Sequence, residues 1–155
     1  MFLVIEFVFG NLLEDRLNQL LTARPGIKKI KIISLHIFDT PIKNSTFRRK
    51  LELLVQNQVK IIIIIDRKVL SGNLREQAFV DDLVDNLGIT VFPKKGIHAK
   101  IVLLEGSSNG LLVSSLNISD TALHRNKEAG IYVENDSGGL IDDARDYITS
   151  ILGVS

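Results

Sequence analysis

The stretch Val59-Lys60-Ile61-Ile62-Ile63-Ile64-Ile65 limits the fold more than any other part of this sequence. Branched β-carbons crowd a helical turn but sit well on a pleated sheet, so the run reads as a strand. Successive strand residues point to opposite faces, and this run is apolar on both, so it must be covered above and below. A strand of that kind belongs at the centre of a sheet between two layers of helices.

The flanking sequence supplies those layers. Met1 to Phe9 reads as a first strand, interrupted only by Glu6. Leu13, Leu17, Leu20 and Leu21 then recur at helical spacing and stop before Pro25-Gly26. A strand over about Lys29 to Phe38 precedes Thr40-Pro41. A second helix is predicted to start there, because Pro41 needs no amide partner in a first turn, and Phe47, Leu51, Leu54 and Val55 mark its apolar face. The isoleucine strand ends at Asp66-Arg67, and Asn73 is placed to cap a third helix that runs through Leu74, Ala78, Leu83, Val84 and Leu87 to a stop at Gly88. Ile89 to Phe92 is another strand. From Ala99 to Asn117, two apolar runs flank Gly106-Ser107-Ser108-Asn109-Gly110, a β-hairpin signal. Ile131 to Val133 adds a strand, and Leu140, Ile141, Ala144, Ile148 and Ile151 make a closing helix. Helices alternating with strands early and a hairpin late predict an α/β fold, a three-layer α/β/α sandwich on a mixed β-sheet. At 155 residues, 45% of them apolar, the chain has the size of a single domain spanning 1–155.

Several kinds of chemistry are excluded. The sequence has no cysteine, so it forms no disulfide, thiolate nucleophile or cysteine-based metal site, which is compatible with a reducing cytoplasm. No apolar stretch approaches the roughly 20 residues needed to span a bilayer. Neither GxGxxG nor GxxxxGK[ST] occurs, so nucleotide binding of those kinds has no support. Net charge is only +1, although Arg24, Lys28, Lys29, Lys31, Lys43, Arg48, Arg49 and Lys50 share one stretch with a single acid, Asp39. That stretch reads either as a basic face or as solvated flanks of ordinary elements.

The chemistry-bearing residues are concentrated in Gly96-Ile97-His98-Ala99-Lys100, in Ser114-Ser115-Leu116-Asn117 and in Asn126-Lys127-Glu128. On an extended strand His98 and Lys100 project from one face, as do Ser115 and Asn117 on the returning strand. A hairpin symmetric about Ser107-Ser108 sets His98 opposite Asn117 and Lys100 opposite Ser115. A turn centred on Asn109-Gly110 shifts the register by an even number and keeps the same faces together. A neutral imidazole can attack phosphorus, and a lysine ammonium and an amide NH2 can hold the charged non-bridging oxygens. A carboxylate is needed on the other ring nitrogen, and Glu128 is the candidate. His36 and His124 have no such company and read as ordinary structural or surface histidines.

The spacing HxK, four residues, an acid, then a serine two before an asparagine resembles the HKD signature of the phospholipase D superfamily. Asn126-x-Glu128 resembles the downstream NxE element of its short bacterial nucleases. The similarity covers about Lys29 to Leu152. Glu105 stands where the family usually has aspartate, and Ser114 where it usually has glycine, which matters if the backbone there requires a positive φ. In this family the motif acid, here Glu105, commonly supports the fold.

The resemblance implies a metal-independent phosphodiesterase without cofactors, in which one histidine attacks phosphorus and a second protonates the leaving oxygen. This chain has a single HxK, so a homodimer is expected, with the two His98 side chains facing each other across a two-fold axis. His98, Lys100, Ser115, Asn117 and Glu128 are then the catalytic set. Because small single-motif relatives are nucleases, a nucleic acid substrate, DNA or RNA, is expected first, with Lys94, Lys95, Arg125 and Lys127 able to follow the phosphate backbone or simply to be solvated. The alternatives are a lipid phosphodiesterase and a catalytically silent dimerisation or nucleic-acid-binding module.

Overall fold

The computed structural model describes residues 2–153, so Met1 at the expected first strand and the last two residues lie outside the described part. Strand β1 (Val4–Phe9), helix α1 (Asn11–Leu20) and strand β2 (Ile27–Ser34) come first. A small hairpin of β3 (Pro41–Ile42) and β4 (Ser45–Thr46) leads into α2 (Phe47–Gln56) and β5 (Lys60–Asp66). Next come α3 (Arg67–Ser71), α4 (Leu74–Leu87), β6 (Thr90–Lys94), β7 (Ile101–Gly106) and β8 (Gly110–Ser114). The chain closes with α5 (Asp120–His124), β9 (Ala129–Glu134) and α6 (Gly139–Leu152).

The main sheet has seven strands in the order β1-β9-β8-β7-β2-β5-β6. The β2-β5-β6 part is parallel and the rest antiparallel, the mixed sheet that the sequence predicts. The isoleucine strand lies inside it, and Ile61 to Ile65 are all buried. Ile61, Ile63 and Ile65 enter the core beneath α1, α2 and α4, while Ile64 enters a second, smaller core beneath α6. The three layers are therefore unequal. On the α6 side, Ile5, Phe7 and Phe9 of β1, Val113 of β8 and Ile131 of β9 share a face with the second core but remain exposed.

Where the elements differ from expectation, local chemistry explains it. The second helix does not begin at Pro41. Lys43 and Asn44 adopt positive φ and fold Pro41 back into the β3-β4 hairpin, and Thr46 becomes the cap, its side chain accepting from Arg49 N at 3.2 Å. Strand β2 stops at Ser34 instead of reaching Phe38, because the next residues turn toward the end of β8, where Phe38 N donates to Ile118 O at 2.9 Å. Helix α3 is an addition, nucleated by the Asp66 side chain, which accepts from Val69 N at 3.0 Å. In the second half of the basic stretch the charges are matched or withdrawn: Lys43 pairs with Asp15, Arg48 with Asp82 and Arg49 with Glu52, and Lys50 is buried.

Candidate active site

Every sequence-derived candidate except Glu105 falls at one edge of the sheet. Ile33 at the end of β2 pairs with Ile101 at the start of β7, Ile101 pairs with Val113 near the end of β8, and Ser114 pairs with Gly130 near the start of β9. His98 and Lys100 precede β7, Ser115 and Asn117 follow β8, and Glu128 precedes β9. This edge also holds the carboxyl ends of the parallel strands β2 and β5, where α/β sheets commonly open a crevice.

His98 is carried by a loop that is fixed from below. Gly96 takes φ 74°, and Ile97 is buried, its N–H donating to Asp66 Oδ2 at 2.9 Å. The other carboxylate oxygen of Asp66 caps α3, so one side chain ties the end of β5, the first turn of α3 and the residue before His98. Burial pushes the Asp66 pKa up, but the amides of Val69, Ile97, Lys68 and Gly96 outweigh it and hold the carboxyl pKa below its ordinary value. His98 itself is exposed, and its imidazole makes no hydrogen bond or ion pair within the described residues. The Lys100 ammonium is also unpaired among the described residues.

The hairpin register corrects the expected convergence. Ile101 pairs with Val113, which places Lys100 against Ser114, one residue away from the expected Ser115. The shift is odd because neighbours, not the turn alone, fix the tip. Ser107 N donates to Gly26 O at 2.9 Å, and Asn109 exchanges hydrogen bonds with the backbone of Asp136. Straight strands in this register would separate the two faces, but β8 ends at Ser114 and the chain bends at Ser115, Leu116 N donating to Ser114 Oγ at 3.1 Å. Beyond the bend, Ser115 and Asn117 reach different neighbours.

Ser115 Oγ donates to the Glu128 carboxylate and accepts from Ala129 N at 3.2 Å, while Asn126 Nδ2 donates to the same carboxylate at 3.3 Å. Glu128 therefore does not orient His98 within one chain, the role expected for it; Ser115 and Asn126 occupy it instead. The Asn117 amide oxygen lies 3.5 Å from Ser34 Oγ. Ser34 is 1% exposed, donates to His36 O at 2.5 Å and accepts from Ile118 N at 3.3 Å, joining the segment after β2 to the segment after β8. The positioning residues Ser34 and Asp66 were not among the sequence candidates. The only signal for either was its place at the carboxyl end of a parallel strand.

The two departures from the family pattern are accommodated. Glu105 sits away from the edge and binds Arg145 Nε of α6 at 2.5 Å and Lys31 Nζ of β2 at 3.1 Å, so its added methylene lets it pin the single helix of the thin layer to the sheet. Burial opposes its charge, but Arg145 and Lys31 hold its pKa below the ordinary carboxylate value. Ser114 does not adopt a positive φ. Its partner across the ladder is Gly130, where an added Cβ would come within 2.6 Å of the Ser114 Cβ. No cluster of three or more His, Cys, Asp or Glu side chains suited to a metal ion occurs among the described residues.

The fold and this edge define an α/β domain that gathers an HxK loop, a serine-asparagine bend and an acid at one end of a mixed sheet. The chain belongs to the phospholipase D-like family: the model described as cardiolipin synthase, PLD-like domain, matches residues 17–152. The fold matches NucT from Helicobacter pylori at 18% identity and TM-score 0.76, covering 98% of this chain and 97% of that one. It matches Nuc, a phospholipase D family member from Salmonella typhimurium, at 15% identity and TM-score 0.76, covering 98% and 95%. Yeast tyrosyl-DNA phosphodiesterase matches at 17% identity and TM-score 0.55, covering 83% of this chain and 45% of that one. No curated protein matches the sequence. Among the described residues, no helix is long and apolar enough to cross a membrane.

Proposed function

We propose that this chain is a metal-independent nuclease of the phospholipase D type, one domain over 1–155, acting in the cytoplasm as a homodimer whose two His98 side chains share one site. His98 of one subunit attacks phosphorus, its lone pair forming the N–P bond as the P–O bond to the leaving group breaks. His98 of the other subunit, protonated, gives its proton to that leaving oxygen. The neutral imidazole so formed then takes a proton from water, whose oxygen attacks the phosphohistidine and returns the first histidine. Lys100 and Asn117 hold the non-bridging oxygens, and Ser115 adds a hydrogen bond.

One observation carries the reading: an imidazole and an ammonium two residues apart on a fixed loop have no partner among the described residues, at an edge that also presents Asn117 and the Ser115-Glu128 pair. A nucleophile and a phosphate anchor left open in this way fit a site that only substrate and a second subunit complete. A two-fold contact is also favoured by the bare face of β1, β8 and β9. Phe7 and Phe9, each 64% exposed, continue through Ile131 and Val113 toward Ile101, three residues from His98. An apolar face of this kind, bordered by the polar edge, suits an isologous interface.

Activity on single-stranded DNA, duplex DNA, RNA and phosphatidylcholine is measured with a chelator present, alongside His98→Ala. Cleavage of a nucleic acid that persists in the chelator, is lost in His98→Ala and passes through an acid-labile phosphohistidine is the expected result. Cleavage that survives His98→Ala ends the proposal. Hydrolysis of the lipid alone would move the chain to a phospholipase, and a stable dimer that traps no phosphohistidine with any of the four would make it a silent module.

A further inference from the structure

A cavity of about 680 Å³ opens beside His98, lined among others by Leu35, His36, Asp66, Lys68 and Lys95. We propose that it is a subsite for one unstacked nucleobase, seated on the His36 ring, and that it makes single-stranded nucleic acid the preferred substrate. The inference rests on the nuclease reading of His98 and names the substrate form that this reading leaves open.

His36 is held more firmly than a chance surface histidine requires. Its Nδ1 lies 3.3 Å from Oε2 of Glu76, a carboxylate with no exposed surface, and Oε1 of the same group accepts from Ile37 N at 2.6 Å. Glu76 is in the first turn of α4, where the Asn73 cap and the helix dipole favour its negative charge. An acceptor on Nδ1 makes that nitrogen the donor and leaves Nε2 of the neutral ring as an acceptor for a ligand. The ring is also stacked on Phe38, centroid to centroid 6.0 Å at 20°, and the Arg75 guanidinium lies over Phe38 at 5.8 Å. His36 is thus the cavity-facing member of a fixed stack of planar groups, the kind of platform on which a base is held by its face.

The rest of the wall suits the same occupant. Leu35 and Val69 supply apolar flanks, and the exposed ammonium groups of Lys68 and Lys95 are unpaired within the described residues, so they can meet the phosphates on either side of the base. The volume lies within the range of small-molecule clefts, roughly 300–1,000 Å³. A base inside a duplex has both faces covered by its neighbours and presents only edges in the grooves. A site that binds the face therefore requires a strand that is already single, or one locally opened.

Binding to the His98→Ala protein, which cannot cut, is measured with a thymidine octamer and with an abasic octamer of equal length. Both carry the same phosphates, so electrostatics cancels between them. The thymidine octamer is expected to bind about tenfold tighter. Adding His36→Ala should bring that preference below about twofold, and His36→Phe, which keeps a ring but not the Glu76 bond, should restore most of it. Melting curves check that each variant is folded. Equal binding of the two octamers, a preference that survives His36→Ala, or displacement of the thymidine octamer by phosphatidylcholine vesicles overturns the inference. If the intact protein cuts no phosphodiester although the base preference and its loss in His36→Ala are present, the nuclease reading fails and the base subsite stands.

Discussion

Replacing Asp66 by asparagine tests whether one buried carboxylate holds the loop that carries His98. Its two oxygens have separate tasks, Oδ1 on Val69 N at 3.0 Å and Oδ2 on Ile97 N at 2.9 Å. An asparagine offers one oxygen and one NH2. Whichever amide meets the NH2 loses a charge-assisted hydrogen bond and faces another donor, a loss of about 1.5–3 kcal/mol. In a chain of this size that lowers Tm by roughly 2–4 °C for each kcal/mol. Urea unfolding gives the free-energy difference, and pH supplies the signature. The folded carboxyl is held below its ordinary value of about 3.9, so its stabilising charge is present above that pH and is lost as pH falls through the lowered folded value. The gap between wild type and Asp66→Asn should be full at pH 7 and should narrow below about pH 4. A difference under about 0.5 kcal/mol at pH 7, or one that does not change with acid, would refute this account of the loop.

Wild type mixed with an equal amount of His98→Ala and allowed to exchange subunits should show, per total protein, about one quarter of the specific activity of pure wild type, because only that share of dimers reassociates as wild type; one half would mean that each subunit works alone. Phe7→Asp together with Phe9→Asp should convert the dimer to monomer in sedimentation velocity and lower activity at least tenfold, by about the amount that dilution below the dimer's Kd achieves. An unchanged sedimentation coefficient would remove the bare face from the interface. Glu105→Gln weakens the ties to Arg145 and Lys31 and should cost about 1–3 kcal/mol in urea unfolding, with KM unaltered. A raised KM instead would place Glu105 near the substrate.

The fold was largely legible because its strongest signals are local. Five successive isoleucines cannot alternate polar and apolar faces, so the sandwich follows from that strand alone. The hairpin tip was misplaced by one residue because its register is set by Gly26 and Asp136, which are distant in sequence and invisible to a turn rule. The same limit applies to the site. HxK and the serine-asparagine spacing could be read from residue types, whereas Glu128 finding Ser115 and Asn126 instead of His98 depends on a bend after Ser114 that no propensity encodes. Ser34, Asp66 and Glu76 carry no such local signal for the site, because the bonds that matter there reach Ile118, Ile97 and His36, each more than 30 residues away. His36 looked ordinary because the buried carboxylate that gives it purpose is 40 residues away.

Strand β1 has one further consequence. It closes the sheet with a row of peptide groups that no neighbouring strand pairs among the described residues, and its outward side chains are Ile5, Phe7 and Phe9 with Glu6 as the sole charge. A ribbon of this composition is a template for strand addition, which natural sheets normally blunt with lysine, proline or a bulge. At high concentration, chains whose β1 edge stays uncovered are therefore expected to associate strand to strand.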